Sequence, residues 1–370
     1  MKKVISLSSI VLVIILTFTF ISTALSSQCS PDEARLKLFY NEKENSLDMV
    51  LIGSSAVRAD FIPTKAYENY GIRSFDYTID HMPLAATEFM IEEVLNYQTP
   101  EVLVIDINGI TYCDEATTEE KSRGFVDCLR QGKNKDNAYN SLYKDANWED
   151  ELPFIKYHSN YNSLVKCLKF KDLYERYGSN ATLLKGYTSN PTNVYKKEQE
   201  DLVDPSTITK KQEFNEYELN VTTRVLNYCD QVKDEVKIIF VRMPRLTVLN
   251  ESEEEIPFIN TFADMITARG YEYLDFCSDY ANYLDISTDF NDRTHLNIFG
   301  AEKFTNYFCE LIETKHQFNK EAASEDWNKC VELANEYYKL AKESTLAKER
   351  KEFYELDIAK TLKVYGVKAV

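Results

Sequence analysis

Short apolar runs, each closed by glycine or a polar residue and separated by stretches of helical periodicity, constrain this chain more than any other feature. The first, Leu47-Asp48-Met49-Val50-Leu51-Ile52, stops at Gly53-Ser54-Ser55. A second spans Ile72 to Tyr77, and a third, Val102-Leu103-Val104-Ile105-Asp106-Ile107, follows Pro100. Val236 to Val241 and Tyr271 to Leu274 complete the set. Runs this short and this apolar read as strands buried on both faces, which is how strands of a parallel sheet are placed. Between them, Ala85 to Tyr97 carries apolar residues at 86, 89, 90, 94 and 97, a helical stripe. A second helix is expected over Pro257 to Arg269, with Gly270 as its C-cap. A third begins near Asn297, with Phe304, Phe308, Leu311 and Ile312 on one face. Strands alternating with helices predict an α/β fold of three layers, α/β/α, around a parallel five-stranded sheet.

At 370 residues and 44% hydrophobic composition, the chain can bury a substantial core, and ten glycines with nine prolines exclude a linker-rich or fibrous protein. One domain is expected over residues 45–315. Its stretch 111–235, rich in Tyr, Asn and Lys and weak in periodicity, reads as an insertion able to form a lid over the carboxyl ends of the strands. Residues 316–370 read as a helical extension, with Trp327, Val331, Ala334, Tyr338 and Ala341 at helical spacing. At the other end, Met1-Lys2-Lys3 precedes an apolar stretch from Val4 to Leu25. Roughly twenty apolar residues suffice to span a bilayer, with the cationic end inside. Residues 1–28 are therefore a membrane anchor or a signal peptide. The anchor is preferred because a secretory apolar core is usually shorter, although Ser22 to Ser27 could hold a cleavage site. Gln28 before Cys29 argues against a lipoprotein signal. Either way the remainder is exported, as a single-pass membrane protein with its main domain outside the cytoplasm or as a secreted one. A net charge of −17 argues against nucleic-acid binding, which relies on Lys and Arg neutralising phosphates. The eight cysteines form no Cys-x-x-Cys pair, which argues against zinc ribbons and dithiol redox motifs. Cys113 and Cys128 are the nearest candidates for a disulfide, and buried thiols fit as well.

An open parallel sheet binds ligands outside the carboxyl ends of its strands. The first strand delivers Gly53, Ser54 and Ser55 there, the third delivers Asp106, Ile107, Asn108 and Gly109, and the last strand-to-helix connection delivers Asp292-Arg293-Thr294-His295. A serine after a strand ordinarily caps a helix, and an Asp three residues from a His is common by chance. Together they acquire meaning. A serine hydroxyl becomes a nucleophile when an imidazole accepts its proton, and the imidazole needs a carboxylate to fix its tautomer. Spacing i, i+3 on a turn brings Asp292 beside His295. The chain order Ser, Asp, His also occurs in α/β-hydrolases, but their Gly-x-Ser-x-Gly elbow is broken here by Val57.

Leu51-Ile52-Gly53-Ser54-Ser55 and Asp292-Arg293-Thr294-His295-Leu296-Asn297 with Gly300 resemble the first and last sequence blocks of SGNH/GDSL hydrolases. The segment Tyr70 to Tyr77, with Pro83 and a helix leading into Pro100-Glu101-Val102-Leu103-Val104, is similar to the second region of a membrane-anchored branch. That branch includes the D-alanyl transfer protein DltD and partners of membrane-bound O-acyltransferases. The resemblance covers residues 45–110 and 235–312. It implies a flavodoxin-like three-layer fold, a serine nucleophile at Ser55 with Asp292 and His295, and acyl transfer involving a cell-envelope glycan or glycolipid. It also raises a membrane-bound O-acyltransferase as a partner. The family's second block supplies a glycine whose N–H binds the oxyanion. Here that stretch is Thr78-Ile79-Asp80-His81, so the donors expected are the backbone N–H groups of Ser55 and His81, with Asn108 near the place of the family's Gly-x-Asn-Asp. Gly53, Ser54 and Asp106 are expected to line the site.

Other candidates carry less. Asp80 and His81 are neighbours whose side chains diverge on an extended chain, Arg58 reads as a surface residue, and His158 and His316 have no evident partners. Four histidines without His-x-His or His-x-x-x-His argue against a dedicated metal centre, and no Walker A or Gly-x-Gly-x-x-Gly motif suggests a nucleotide. No cofactor is expected. Two functions compete: an esterase or O-acyltransferase working through an acyl-serine, and a catalytically weak or inactive carbohydrate-binding scaffold on the same frame, for which the missing second-block glycine and 25 tyrosines speak.

Overall fold

Apolar runs of five residues must be covered on both faces, and here helices cover both. The computed structural model describes residues 2–26, 36–143, 184–188, 202–320 and 323–349. Strands β1 (Met49–Gly53), β2 (Ser74–Thr78), β3 (Val102–Asp106), β4 (Lys237–Arg242) and β5 (Glu272–Asp275) form one parallel sheet in the order β2-β1-β3-β4-β5. This is the flavodoxin-like order, in which the winding reverses between β1 and β3 and opens a crevice at their carboxyl ends. Each strand lies within two or three residues of its expected position. The helices are α1 (Lys2–Ser26), α2 (Ser55–Asp60), α3 (Pro63–Tyr70), α4 (Thr87–Tyr97), α5 (Glu115–Cys128), α6 (Lys133–Leu142), α7 (Glu216–Val232), α8 (Leu249–Ala268), α9 (Ile298–Lys315) and α10 (Glu325–Glu349).

Side chains alternate across a strand, and the two faces found two cores. Val50, Ile52, Leu103, Ile105, Ile238 and Phe240 meet apolar residues of α4 to α8. Met49, Leu51, Val102, Val104, Ile239 and Val241 meet those of α2, α3, α9 and α10. The helical extension therefore joins the second face, with Ala334, Tyr338 and Ala341 buried. Helix α8 starts at Leu249 rather than at Pro257, which lies inside it. A proline ordinarily marks the first turn because it lacks an N–H; here Ile256, Ile259, Phe262 and Ile266, packed on the sheet, carry the helix through it. Gly270, at φ +83°, ends that helix as expected.

Within 111–235, α5, α6 and α7 contribute Phe125, Val126, Ala138, Leu142, Val225 and Leu226 to the first core, so these parts are a layer of the fold. Of the stretch expected as a lid, 144–183 and 189–201 lie outside the described residues, with 184–188 described between them. The short piece 184–188 lies along β2. Lys185 O accepts the Asp76 N–H at 2.9 Å, and a Cβ on Gly186, at φ +94°, would stand 2.3 Å from Asp76 O. The buried Lys185 ammonium pairs with Glu42 at 2.9 Å and lies 4.4 Å from the centre of the Trp327 ring. Thr188 N–H donates to Arg58 O at 3.0 Å.

Cys113 and Cys128 are buried thiols rather than a disulfide, and burial pushes Cys113 up to about 12. Cys29 and Cys167 lie outside the described residues. In α1, Ile10 to Phe20 present large exposed apolar side chains. Side chains of this helix are described only for residues 8–21, and among the described residues no helix is long and apolar enough to cross a membrane.

Candidate active site

The first strand turns into its helix at a point only glycine allows. A Cβ on Gly53 would stand 2.4 Å from Val57 Cγ2 and 2.7 Å from Asp106 Cβ. Ser54 follows with extended backbone and caps α2, its Oγ accepting the Ala56 N–H at 3.4 Å. The ordinary duty of a serine after a strand thus falls to Ser54. Ser55, the first helical residue, turns its hydroxyl to His295, with Oγ 2.8 Å from Nε2.

The loop carrying His295 is built by its own chain. Phe290 and Leu296 bridge, and the Asn291 N–H donates to His295 O at 3.0 Å. Leu246 N–H donates to Arg293 O at 2.7 Å, tying the loop to the segment after β4. Asn297 caps α9, accepting from Phe299 N at 2.9 Å and Gly300 N at 3.2 Å while its amide donates to Thr288 O at 2.7 Å. Gly300 is needed there because a Cβ would stand 2.2 Å from Asp289 O. His295 Nδ1 lies 3.0 Å from each Asp292 oxygen. A carboxylate can only accept, so Nδ1 carries the proton and Nε2 is the acceptor facing the serine. Asp292 also accepts from Thr294 N at 2.8 Å, Thr294 Oγ1 at 3.0 Å and Asn291 Nδ2 at 2.9 Å. Partial burial works against its charge, but the hydrogen bond and electrostatic attraction of His295, joined by the hydrogen bonds from Thr294, prevail and hold Asp292 at about 2.

Beside the triad lies a second network. Asp106, wholly buried at the end of β3, accepts from Ser54 Oγ at 3.3 Å, Met243 N at 3.3 Å, Asn108 N at 3.3 Å and Asn108 Nδ2 at 2.9 Å. Burial raises its carboxyl to about 6 against the lowering effect of those donors. Asn108 thus gives its amide to Asp106, and its Oδ1 has no hydrogen-bond partner among the described residues. The loop after β2 is drawn in by the Ile79 N–H, which donates to Gly53 O at 3.1 Å. In that loop His81 takes φ +55°, the left-handed backbone of a glycine. Its exposed ring lies edge-on to Tyr112, with ring centres 5.3 Å apart. Arg58 is buried rather than on the surface, because its guanidinium spans to Asp80 at 2.9 Å. Asp80 is therefore committed away from His81. His316 pairs with Glu101 at 3.1 Å, and His158 lies outside the described residues.

Of the residues expected from sequence, Ser55, Asp292 and His295 come together as one hydrogen-bonded line. Gly53, Ser54, Asp106 and Asn108 form the adjoining network, and His81 lies on the neighbouring loop. Sequence reasoning missed Asp60. This last residue of α2 is wholly buried, and its Oδ1 accepts the Leu296 N–H at 2.8 Å. No local pattern could announce it, since its partner lies 236 positions away. No protein-family model and no curated protein matches the chain, so the site is read from its own geometry.

Proposed function

We propose that the protein is a serine esterase or O-acyltransferase acting on acyl esters of an extracytoplasmic glycan or glycolipid through an acyl-serine intermediate. The observation that carries the reading is the line Ser55 Oγ, His295 Nε2, His295 Nδ1, Asp292, with links of 2.8 and 3.0 Å. Ser55 Oγ attacks the acyl carbonyl while its proton passes to His295 Nε2. The imidazolium so formed is stabilised by Asp292, and its proton goes to the departing alkoxide, which leaves as an alcohol. Water or a sugar hydroxyl then attacks the acyl-serine, giving its proton to His295, which returns it to Ser55 as the acyl group departs. The N–H groups of Ser55 and His81 serve as donors to the oxyanion. Ser55 is in the first turn of α2, where N–H groups have no partner within the helix. His81, in the stretch where the SGNH/GDSL resemblance places a glycine, takes φ +55°, a backbone that favours glycine. The apolar sequence from Val4 to Leu25 is the basis for proposing an anchor that would hold the domain outside the membrane beside a membrane-bound O-acyltransferase.

Hydrolysis of a chromogenic short-acyl ester tests the reading. Ser55→Ala is expected to lower turnover by about 10⁴-fold or more, as removal of a serine nucleophile does; turnover that persists in this variant refutes it. The commitment of Asn108 to Asp106 favours the second reading, a glycan-binding scaffold of little activity. A fluorophosphonate that fails to label Ser55 in the wild-type chain would select that alternative.

A further inference from the structure

Asp60 and Ser55 stand at the two ends of the same six-residue helix, and Leu296 directly follows His295. Two hydrogen bonds therefore run like rungs between the same two segments: Ser55 Oγ to His295 Nε2 at 2.8 Å and Leu296 N to Asp60 Oδ1 at 2.8 Å. Other hydrogen bonds of the 290–296 loop run to the segment after β4 through Arg293 O, to Asn297 through Phe290 O and within the loop itself. Thr305 holds the Ile62 N–H at 2.9 Å, which fixes α9 against the end of α2 without engaging the loop. One rung alone would let the histidine swing about the serine, whereas two define its reach.

The chemistry of Asp60 argues that the bond is kept for this purpose. Its side chain is wholly shielded from solvent, and Oδ2 has no hydrogen-bond partner among the described residues. A single amide N–H repays little of what it costs to bury a carboxyl group, so stability alone would favour an apolar residue here. The groups that face it electrostatically are Asp292 from the loop, Asp106 from β3, Arg58 from its own helix and Tyr283 from the turn after β5. Burial raises its carboxyl well above the usual range, opposed by the bond from Leu296 N and reinforced by Asp292 and Asp106. A neutral carboxyl still accepts from Leu296.

We propose that Asp60 is the positioning residue of the serine–histidine pair: by holding the backbone N–H of Leu296 it sets His295 Nε2 within reach of Ser55 Oγ. This rests on the proposed triad. The test compares the full-length wild type with Asp60→Asn, Asp60→Leu and Asp60→Ala, following fluorophosphonate labelling of Ser55 and the low-field imidazole resonances. With only four histidines in the chain, those of His295 can be assigned by His295→Gln. Asn is nearly isosteric with the neutral acid and keeps the acceptor, so labelling within about three-fold of wild type is expected. Leu and Ala, folded by circular dichroism, are expected to label about 10- to 100-fold more slowly at unchanged probe affinity, the scale on which a misplaced catalytic group loses rate. Their His295 Nε2 signal is expected to lose the signature of its bond to Ser55. Wild-type labelling in a folded Leu or Ala variant would overturn the proposal. So would a loss above about ten-fold in the Asn variant, since the hydrogen bond is then not what matters. Should neither apolar variant fold, Asp60→Ser, too short to reach Leu296, takes their place with the same expectation. If the wild type itself takes no label, the triad reading fails, and the imidazole spectra still decide whether Asp60 places His295.

Discussion

On the base side of Ser55, every polar side-chain atom of Asp292 and His295 has a partner within 3.0 Å. On the opposite side Asn108 spends its amide on Asp106, and His81 holds a backbone conformation that costs an ordinary residue about 1 kcal/mol. The first half is set before any substrate arrives, by contacts among residues 291–295, by the tie of Leu296 to Asp60 and by a hydroxyl presented at the start of α2. The second half is assembled from two loops and a helix terminus. On the proposed reading, a site divided in this way can vary on the Asn108 side while its Ser55–His295–Asp292 line is unchanged.

Removing the carboxylate should produce the larger break. Asp292→Asn is expected to lower turnover by about 10³- to 10⁴-fold, because the imidazole is no longer fixed in the productive tautomer. As Asp292 is held at about 2, below its ordinary 3.8, its contribution to stability is complete above about pH 4 and fades as pH falls through 2. The stability lost in Asp292→Asn should therefore be the same at pH 5 and pH 8, which urea unfolding at both measures.

Asp106 runs the other way. With its carboxyl raised from 3.8 to about 6, it favours the fold most below pH 4 and progressively less as pH rises through 6. Asp106→Asn is expected to gain up to about 3 kcal/mol relative to wild type at pH 8 and nothing at pH 4, judged by urea unfolding at both. Equal effects at the two pH values would remove Asp106 as a titrating group. Asn108→Ala should slow turnover by about ten- to thirty-fold at unchanged KM, less than the ordinary loss of an oxyanion donor, because Asn108 acts through the Asp106 network that adjoins Ser54. A loss of 10³-fold would make the two halves of the site equally committed. The smallest effect belongs to His81. Replacing it with glycine keeps the N–H and relieves φ +55°, so a gain of up to about 1 kcal/mol in thermal unfolding is expected with labelling rate retained.

The strands were legible because period and length are local properties: Val50 to Ile52 or Leu103 to Ile105 announce burial without reference to anything distant. Ser55, Asp292 and His295 were legible because strand ends converge on one edge of a parallel sheet. Arg58 and Asp60 were not. Each looks like an exposed charge on a short helix, and each is buried by a partner far along the chain, Asp80 in one case and Leu296 in the other. Helix α8 ran past its expected start because packing of Ile256 and Ile259 outweighed the local signal of Pro257.

The fragment 184–188 against β2 has a practical consequence for anyone trimming this protein. Outer strands offer unused backbone groups to other chains and are a common seed of aggregation. Here Lys185 and Gly186 occupy part of that margin, locked by Glu42 and Trp327. Cutting 144–201 out in one piece would leave β2 open to a second molecule. A shortened domain that stays monomeric has to retain this five-residue selvedge, even though it lies within the segment whose composition looks most dispensable.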